Sequence, residues 1–339
     1  MPARRKEPPT RSPATTLGAR PRRLRRTASL RDWVAETDVD LRRLVYPLFV
    51  RPGRGPPEPI RSMPGIHRYS VRDMGHLARQ LADEGIRSVL LFGVAREKDA
   101  EGSDAWAADG IVPEAIRTIK RAAPNLVVVT DVCLCAYTTH GHCGVVRHGN
   151  ILNDETCERL GRVAAAHANA GADVVAPSAM MDRQVAYLRA ALDRAAHEET
   201  AILSYASKHA STFYGPFREA ERSTPAFGDR RSYQMDYRNA REALHEMELD
   251  AAEGADILMV KPAITSLDLL VRARRRFLLP LAAYQVSGEY AMIKAAAALG
   301  AVSERAAVEE TLSAIRRAGA DLIVTYFARD VARWSRETS

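Results

Sequence analysis

Three cysteines lie close together in the sequence, in a pattern that can bind a metal ion. Cys133, Cys135 and Cys143 follow the spacing Cys-x-Cys-x7-Cys within eleven residues. Three thiolates can hold one Zn²⁺ and leave its fourth position open, as a catalytic zinc site requires. Gly141 and Gly144 let the short loop fold back so that the third cysteine meets the first two. The pattern predicts a zinc site; the alternatives are reduced cysteines without a metal, or a redox pair.

Two histidines and a fourth cysteine lie near this pattern. His140 and His142 stand in the same loop and could serve as a fourth ligand or as an acid/base group, although a loop histidine more often only forms hydrogen bonds. Cys157 comes in the next helical segment, where core packing is the expected role. Four cysteines in 339 residues are too few for a disulfide framework and suit a reducing compartment. We therefore expect a cytoplasmic protein.

Two lysines each end an apolar stretch. Lys208 closes the stretch 204–208 and Lys261 closes the stretch 258–261. A lysine that is buried near a second positive charge loses its proton more easily, and a neutral amine can form a Schiff base with a ketone or aldehyde. For either lysine alone, a structural salt bridge is an equally good explanation. Two of them on successive strands, beside a zinc site, favour catalysis.

The segment between the two lysines is long and rich in Gly, Pro and Arg. It includes Arg218, Arg230 and Arg231. Long loops in a compact domain are usually lids or binding loops. We expect Arg218 and Arg230 to bind a carboxylate through paired hydrogen bonds, with surface solvation as the alternative for any single arginine. Ser287 and Tyr326 add hydroxyl groups at the ends of later strands.

These residues fall on a regular alternation of strands and helices. Eight apolar runs without strict alternation predict parallel strands that are buried on both faces. They lie at 44–50, 88–92, 126–131, 172–176, 201–205, 256–261, 281–286 and 321–326. Helical stripes with capping residues separate them, such as Met74, Leu77 and Leu81 after Ser70. The alternation predicts an α/β fold, a TIM (β/α)8 barrel, whose active site lies at the C-terminal ends of the strands.

A doubly wound sheet is the alternative fold. Against it, no predicted strand is followed by a Gly-x-Gly-x-x-Gly turn. The phrase Gly-Ala-Asp, followed by apolar residues, occurs at 171–175, 254–258 and 319–323. Its irregular spacing argues against a solenoid. It predicts a recurring helix-to-strand junction in which the glycine ends the helix in a left-handed conformation.

The positive charge is concentrated at the N-terminus. The net charge is +7, and ten Arg or Lys residues lie within residues 1–31, among many Pro, Ser and Thr. We expect residues 1–40 to form an extended basic arm and residues 41–335 to form the catalytic barrel. A nucleic-acid or membrane arm is the alternative, but no aromatic or amphipathic pattern accompanies the charge. The prolines argue against a transit peptide, and no apolar run approaches the roughly 18 residues of a membrane helix. We expect neither a membrane nor a nucleic acid as a partner.

Several blocks from about residue 41 to 335 resemble the porphobilinogen synthase (5-aminolevulinate dehydratase) family. They lie at 131–144, 214–218, 225–230, 259–262 and 286–289. The resemblance implies a hydro-lyase of tetrapyrrole and heme biosynthesis, which condenses two 5-aminolevulinate molecules asymmetrically to porphobilinogen with loss of two waters. A Schiff-base aldolase on the same barrel is the alternative enzyme. It needs neither a second lysine nor a thiolate zinc site.

The resemblance also implies a role for most of the candidate residues. Lys208 and Lys261 would form Schiff bases with the ketones of the two substrates. Arg218 and Arg230 would bind the carboxylate of one substrate. The three cysteines of the Cys-x-Cys-x7-Cys pattern would hold zinc near that substrate, as in the zinc-dependent branch of the family.

The remaining roles concern the second substrate and the assembly. Ser287 and Tyr326 would bind the second carboxylate. Glu246 would bind an allosteric Mg²⁺ at a subunit contact, and N-terminal arms would assemble a homo-octamer.

The sequence departs from the family pattern at several positions. Ala206 and Ser207 precede the first lysine where Ser-Ala is common, and His209 follows it where an aromatic residue is common. Arg183 stands where Gly is usual, and Tyr237 where Pro is common. His209 is expected to influence the pKa of its neighbour, and Tyr237 leaves the magnesium site less secure than the zinc site.

Overall fold

The computed structural model describes residues 20–337, so the first half of the basic arm lies outside the described residues. The chain divides into two units, one ending at Asp38 and one beginning at Val39. In the first unit, a 3-10 turn precedes helix α1, Ala28–Trp33. Thr27 caps this helix by accepting a hydrogen bond from the backbone N–H of Leu30. The role of this segment as an assembly arm stays a prediction.

Eight parallel strands in the second unit form a closed barrel. They are β1 Leu44–Arg51, β2 Ser88–Gly93, β3 Val127–Val132, β4 Val174–Pro177, β5 Ala201–Lys208, β6 Ile257–Lys261, β7 Leu281–Gln285 and β8 Leu322–Thr325. Each strand pairs in parallel with the next, and β8 returns to β1 where Leu44 pairs with Ile323. The eight predicted strands and the TIM barrel are confirmed, because a doubly wound sheet would leave two open edges.

Helices surround the barrel. They are α2 Val71–Asp83, α3 Ile111–Ala122, α4 Asn153–Asn169, α5 Gln184–Arg194, α6 Gly215–Glu221, α7 Ala240–Ala252, α8 Leu267–Arg276, α9 Ser287–Ala298, α10 Glu304–Ala318 and α11 Ala328–Glu337. In α2, Ser70 and Asp73 form a capping box, while Met74, Leu77 and Leu81 are buried as predicted. Among the described residues, no helix combines the length and apolar character needed to span a membrane.

Four short strands form two antiparallel pairs in addition to the eight barrel strands. Glu58–Pro59 pairs with His67–Ser70, and Val145–Arg147 pairs with Asn150–Leu152. The second pair directly follows the cysteine pattern and leads into α4. This hairpin ends the loop that carries the third cysteine.

The recurring Gly-Ala-Asp phrase lies at the N-terminal ends of three strands. Its glycines have φ angles of 102°, 103° and 121°, which favour glycine as predicted. Each following aspartate accepts a hydrogen bond from a backbone N–H of the preceding strand. These bonds join Asp173 to Val128, Asp256 to Ile202 and Asp321 to Leu281. Because they lie at the end opposite the barrel mouth, they stabilise the fold and leave the mouth free for chemistry.

Candidate active site

The two candidate lysines lie side by side at the barrel mouth. Lys208 is the last residue of β5, Lys261 is the last residue of β6, and the two are direct partners across these strands. Each is only 5% exposed. The C-terminal end of the barrel strands is where enzymes of this fold carry their active sites.

A bulge in β5 decides how Lys208 points. Ser204 and Ser207 are three positions apart, but they pair with residues of β6 that are only two positions apart. Ser204 donates a hydrogen bond to Asp250 of α7, so it faces the helices, whereas the Tyr205 ring lies within reach of both lysine amines. Strict alternation would turn residue 208 to the helix side. The extra residue of the bulge turns Lys208 into the mouth instead.

The Lys261 amine lies among aromatic rings. Its Nζ is 4.2 Å from the ring centre of Tyr284 and 4.9 to 5.1 Å from three further rings. Among the described residues, no hydrogen bond or ion pair involves this Nζ. Burial, followed by the positive charge of Lys208, lowers the pKa of Lys261 to about 7. Much of this amine is therefore neutral and nucleophilic near neutral pH.

The Lys208 amine has a fixed partner. Its Nζ donates a hydrogen bond to the backbone carbonyl of Ser178, just beyond β4. Asp131 of β3 interacts with both lysines: burial raises the pKa of this carboxyl group, and the two positive charges oppose the rise. Sequence reasoning gave Asp131 no role of its own. Its only signal was its position at a strand end, two residues before the first cysteine.

The three cysteines of the pattern converge beside the lysines. Their Sγ atoms all lie within 4.8 Å of one another, and all three side chains are buried and reduced. Hydrogen bonds from Cys133 and Cys135 hold the pKa of the Cys143 thiol well below its ordinary value. Within the described part of the chain, no other His, Cys, Asp or Glu side chains converge in this way. Three soft, buried donors of this kind suit zinc.

The other candidates near the cysteines have different partners. The two ring nitrogens of His142 lie 3.0 Å from the Tyr233 hydroxyl and 3.0 Å from the Phe227 carbonyl. His140 contacts a backbone carbonyl and accepts a hydrogen bond from the backbone of His142. Neither histidine joins the cysteine cluster, so both order the loop in this structure. Cys157 is buried in α4, as predicted.

The two candidate arginines line one cavity of about 600 Å³. Arg230 is buried and donates hydrogen bonds of 2.9 and 2.6 Å to the carbonyls of Gly141 and Ser223, which ties this segment to the cysteine loop. The Nε atoms of Arg218 and Arg230 and both amide atoms of Gln234 are buried without a hydrogen-bond partner. Buried donors of this kind indicate a ligand that accepts hydrogen bonds, such as a carboxylate. Sequence reasoning missed Gln234.

Ser287 and Tyr326 lie on the side of Lys261. The Ser287 hydroxyl accepts a hydrogen bond of 3.0 Å from a backbone N–H of α6 and donates one to the carbonyl of Phe213. The Tyr326 hydroxyl lies 3.0 Å from that of Tyr284, whose ring is the one nearest the Lys261 amine. The structure thus brings both hydroxyls into the mouth, where each already has a partner within the protein.

Glu246 lies apart from this site. It belongs to α7 and lines a cavity of about 750 Å³ together with Asp182, Asp236 and Glu242. Burial, followed by the charges of Asp182 and Glu242, raises the pKa of Glu246. Carboxylate oxygens are ligands that magnesium prefers. However, no three of these acidic side chains come as close together as the cysteines do.

Of the departures from the family pattern, His209 and Tyr237 line the cavity that contains the two candidate arginines, whereas Arg183 lies elsewhere. Arg183 has a φ of 63°, a left-handed conformation that favours glycine and explains why glycine suits this position. Burial lowers the pKa of His209, and its partner is the backbone of Asn239 rather than the neighbouring lysine. Tyr237 is 68% exposed.

Comparisons with known proteins agree on one family. The family model for delta-aminolevulinic acid dehydratase matches residues 18–334. The dehydratase of Methanothermobacter thermautotrophicus is 55% identical over 314 residues, covering 92% of this chain and 96% of that protein. The Escherichia coli dehydratase is 50% identical over 318 residues, covering 94% and 98%. A solved structure of porphobilinogen synthase from Toxoplasma gondii, in complex with the reaction product porphobilinogen, matches with a TM-score of 0.93 and 44% identity, covering 96% of this chain and 93% of that one.

Proposed function

The chain belongs to the delta-aminolevulinic acid dehydratase family and has its porphobilinogen synthase activity, and we propose that Lys261 and Lys208 each bind one substrate molecule covalently. In this reaction two molecules of 5-aminolevulinate condense to porphobilinogen and release two molecules of water. The observation that carries the proposal is the pairing of the two lysines in register, at the barrel mouth and beside three convergent thiols.

Lys261 is the first nucleophile in this proposal. Its neutral amine attacks the ketone carbon of a substrate, the ketone oxygen leaves as water with both amine protons, and a C=N bond replaces the C=O bond. Asp131 interacts with both lysines, so it is placed to accept and return the protons that these steps move. Lys208 forms the second Schiff base. Its positive charge also helps to keep the Lys261 amine neutral.

Two sets of side chains bind the two carboxylates. Arg218 and Arg230 hold one of them with their unpartnered guanidinium N–H groups, and Gln234 completes this set. Ser287 and Tyr326 hold the other, which requires each hydroxyl to exchange its present partner for the substrate. Binding at Ser287 would therefore redirect the hydroxyl proton that is now donated to the carbonyl of Phe213, a residue just before α6, the helix that carries Arg218.

The cysteine cluster is the proposed site of a catalytic Zn²⁺. Cys133, Cys135 and Cys143 fit this ion because their sulfurs are buried, convergent and free of disulfides. When bound, zinc supplies Lewis acidity toward a carbonyl or an amine of the substrate. Hydrogen bonds from the two neighbouring thiols lower the pKa of Cys143, and the positive charge of Arg230 lowers it further, so Arg230 stabilises the Cys143 thiolate electrostatically.

Further assignments belong to the same proposal. Glu246 binds a regulatory Mg²⁺, with water molecules or a neighbouring subunit supplying the remaining ligands. Residues 1–40 form the arm of a homo-octamer. The enzyme works in the cytoplasm, where a reducing environment keeps the four cysteines available as thiols.

One assay tests the function and the metal together. The purified chain is incubated with 5-aminolevulinate, with and without a zinc chelator, and the pyrrole product is measured colorimetrically. We expect product that disappears on thorough chelation and returns when zinc is added back. Absence of product with zinc present would contradict the function, whereas activity that resists chelation would remove only the zinc.

A further inference from the structure

Glu221 is a buried carboxylate to which the mechanism above gives no role. It is the last residue of α6 and is only 2% exposed. Its Oε2 accepts a hydrogen bond of 3.6 Å from the Sγ of Cys135. Among the described residues its carboxylate forms no salt bridge. Burial raises the pKa of this carboxyl group to about 8, so its position beside a metal-binding cluster calls for an explanation.

The fold holds Glu221 in this position. Arg68, itself buried, donates hydrogen bonds of 2.6 and 2.8 Å to the carbonyls of Ala220 and Glu219. Arg222 ends the helix in a left-handed conformation, with a φ of 53° that is unfavourable for a residue with a side chain. The end of α6 is therefore anchored from outside the helix and turned sharply after Glu221. The backbone at the end of the helix thereby helps to direct the Glu221 carboxyl group toward Cys135.

The distance between Glu221 and Cys135 matches that of two ligands of one ion. With Zn–S near 2.3 Å and Zn–O near 2.1 Å, two ligands at the tetrahedral angle lie about 3.6 Å apart. The carboxylate oxygen does not lie within 4.8 Å of all three sulfurs, as these do of one another. Ligation therefore requires the Glu221 side chain to turn further toward Cys133 and Cys143 when the ion binds.

The surrounding charges suit a fourth anionic ligand. Three thiolates and one carboxylate carry four negative charges, of which a zinc ion balances two. Arg230 is buried and interacts with all three cysteines. Lys98 is half-buried, donates a hydrogen bond of 2.6 Å to the carbonyl of Arg222, and interacts with Cys135 and Glu221. These two cations oppose the remaining negative charge, and Lys208, Lys261 and Asp131 also act electrostatically on the cluster.

We propose that Glu221 is the fourth zinc ligand in the substrate-free enzyme and gives up that position when substrate arrives. This inference rests on the proposed three-cysteine zinc site. Because Glu221 and Arg218 lie on the same short helix, release of the carboxylate would free α6 to adjust around the substrate carboxylate. The exchange would couple the metal to the arginine side of the site.

Zinc affinity tests this assignment directly. The measurement is competition for Zn²⁺ with a chromophoric chelator, on the full chain and on variants that unfold at the wild-type temperature. We expect Glu221→Gln to weaken zinc binding at least tenfold, within the roughly 10–100-fold range seen for groups that support a metal site. Glu221→Asp keeps the charge but shortens the reach, so it should weaken binding similarly. Glu219→Gln, an exposed position on the same helix, is the matched control and should bind within twofold of the wild type.

Hydrogen exchange of residues 215–222 gives a second readout, independent of activity. Zinc should slow exchange in this segment of the wild type and leave it unchanged in Glu221→Gln. If Glu221→Gln does not fold, Glu221→Asp takes its place in both measurements. Variants that bind zinc within twofold of the wild type would overturn the Glu221 assignment and leave the three-cysteine site standing. A wild-type chain that binds no zinc would overturn both.

Discussion

Lys208 and Lys261 occupy equivalent positions on adjacent strands and differ in what surrounds their amines. Both are 5% exposed and lie in register. Lys208 donates a hydrogen bond to the carbonyl of Ser178, whereas Lys261 lies among the faces of four aromatic rings. Aromatic faces attract a cation but replace water without offering a carbonyl or carboxylate acceptor. Burial, followed by the positive charge of Lys208, outweighs this attraction and lowers the pKa of Lys261. The two amines therefore differ in their partners although they share strand position and exposure, and this difference supports the proposal that Lys261 is the first nucleophile.

The strongest test removes the free amine. Lys261→Met should lower kcat by a factor on the order of 10³ or more, because it deletes the nucleophile itself. Borohydride reduction in the presence of 5-aminolevulinate, followed by peptide mass spectrometry, should then find no adduct at position 261. The chain has six lysines, so the adduct can be located unambiguously. Lys294→Met, which removes a lysine paired with Glu304 away from this site, is the control and should trap normally.

If the Lys261→Met variant still trapped substrate at full yield, Lys208 would be the principal nucleophile and the order proposed for the two lysines would be wrong. Adduct at both positions of the wild-type chain, with 261 labelled first at low substrate, would support the order given above. The same peptides report both residues, so one experiment decides between these outcomes.

The next test removes the neighbouring charge. Lys208→Met should lower kcat about a hundredfold or more by deleting the second nucleophile. It should also move the pH dependence of Schiff-base trapping at Lys261 to higher pH, since the positive charge of Lys208 lowers the pKa of Lys261. A profile that stays in place would mean that burial alone sets this pKa.

The pH dependence of Schiff-base trapping in the wild-type chain tests the lowered pKa of Lys261 without any substitution. With a pKa of about 7, Lys261 is mostly protonated in acid, so initial trapping should fall nearly tenfold per pH unit below about 6 and level off above 8. The unfolded chain keeps this proton up to a pH near 10.4, so the contribution of Lys261 to stability should rise with pH between about 7 and 10. Trapping that rises only above pH 9 would mean that the pKa of Lys261 is not lowered.

The substitution with the smallest expected effect is at Arg183, away from both lysines. Arg183 is exposed and has a left-handed φ of 63°, so Arg183→Gly should relieve backbone strain and raise the free energy of unfolding by about 1 kcal/mol. Chemical denaturation measures this change. Activity and the trapping ratio of the two lysines should stay unchanged, and an altered ratio would connect this helix start with the active site.

Much of the fold could be predicted because its signals are local. Apolar runs, capping residues such as Ser70 and junction glycines such as Gly254 act over a few residues, so the strands and helices follow from the chain itself. The two lysines and the cysteine pattern stood out for the same reason, since strand ends and close spacing are visible in one dimension. The bounds of β5 were less accurate: this strand continues to Lys208 because a bulge extends its pairing.

The amino-acid sequence by itself determined the barrel, the residue types of the site and the likeness to one enzyme family. Only the tertiary structure decided which amine is free, that Asp131 interacts with both lysines, and that Gln234 and Glu221 lie beside the arginines and the thiols. These facts depend on residues that are far apart in the chain and on a register shift of one position, which reverses the side that a side chain faces. No local sequence pattern encodes these contacts, because they form only when the eight strands close into a barrel.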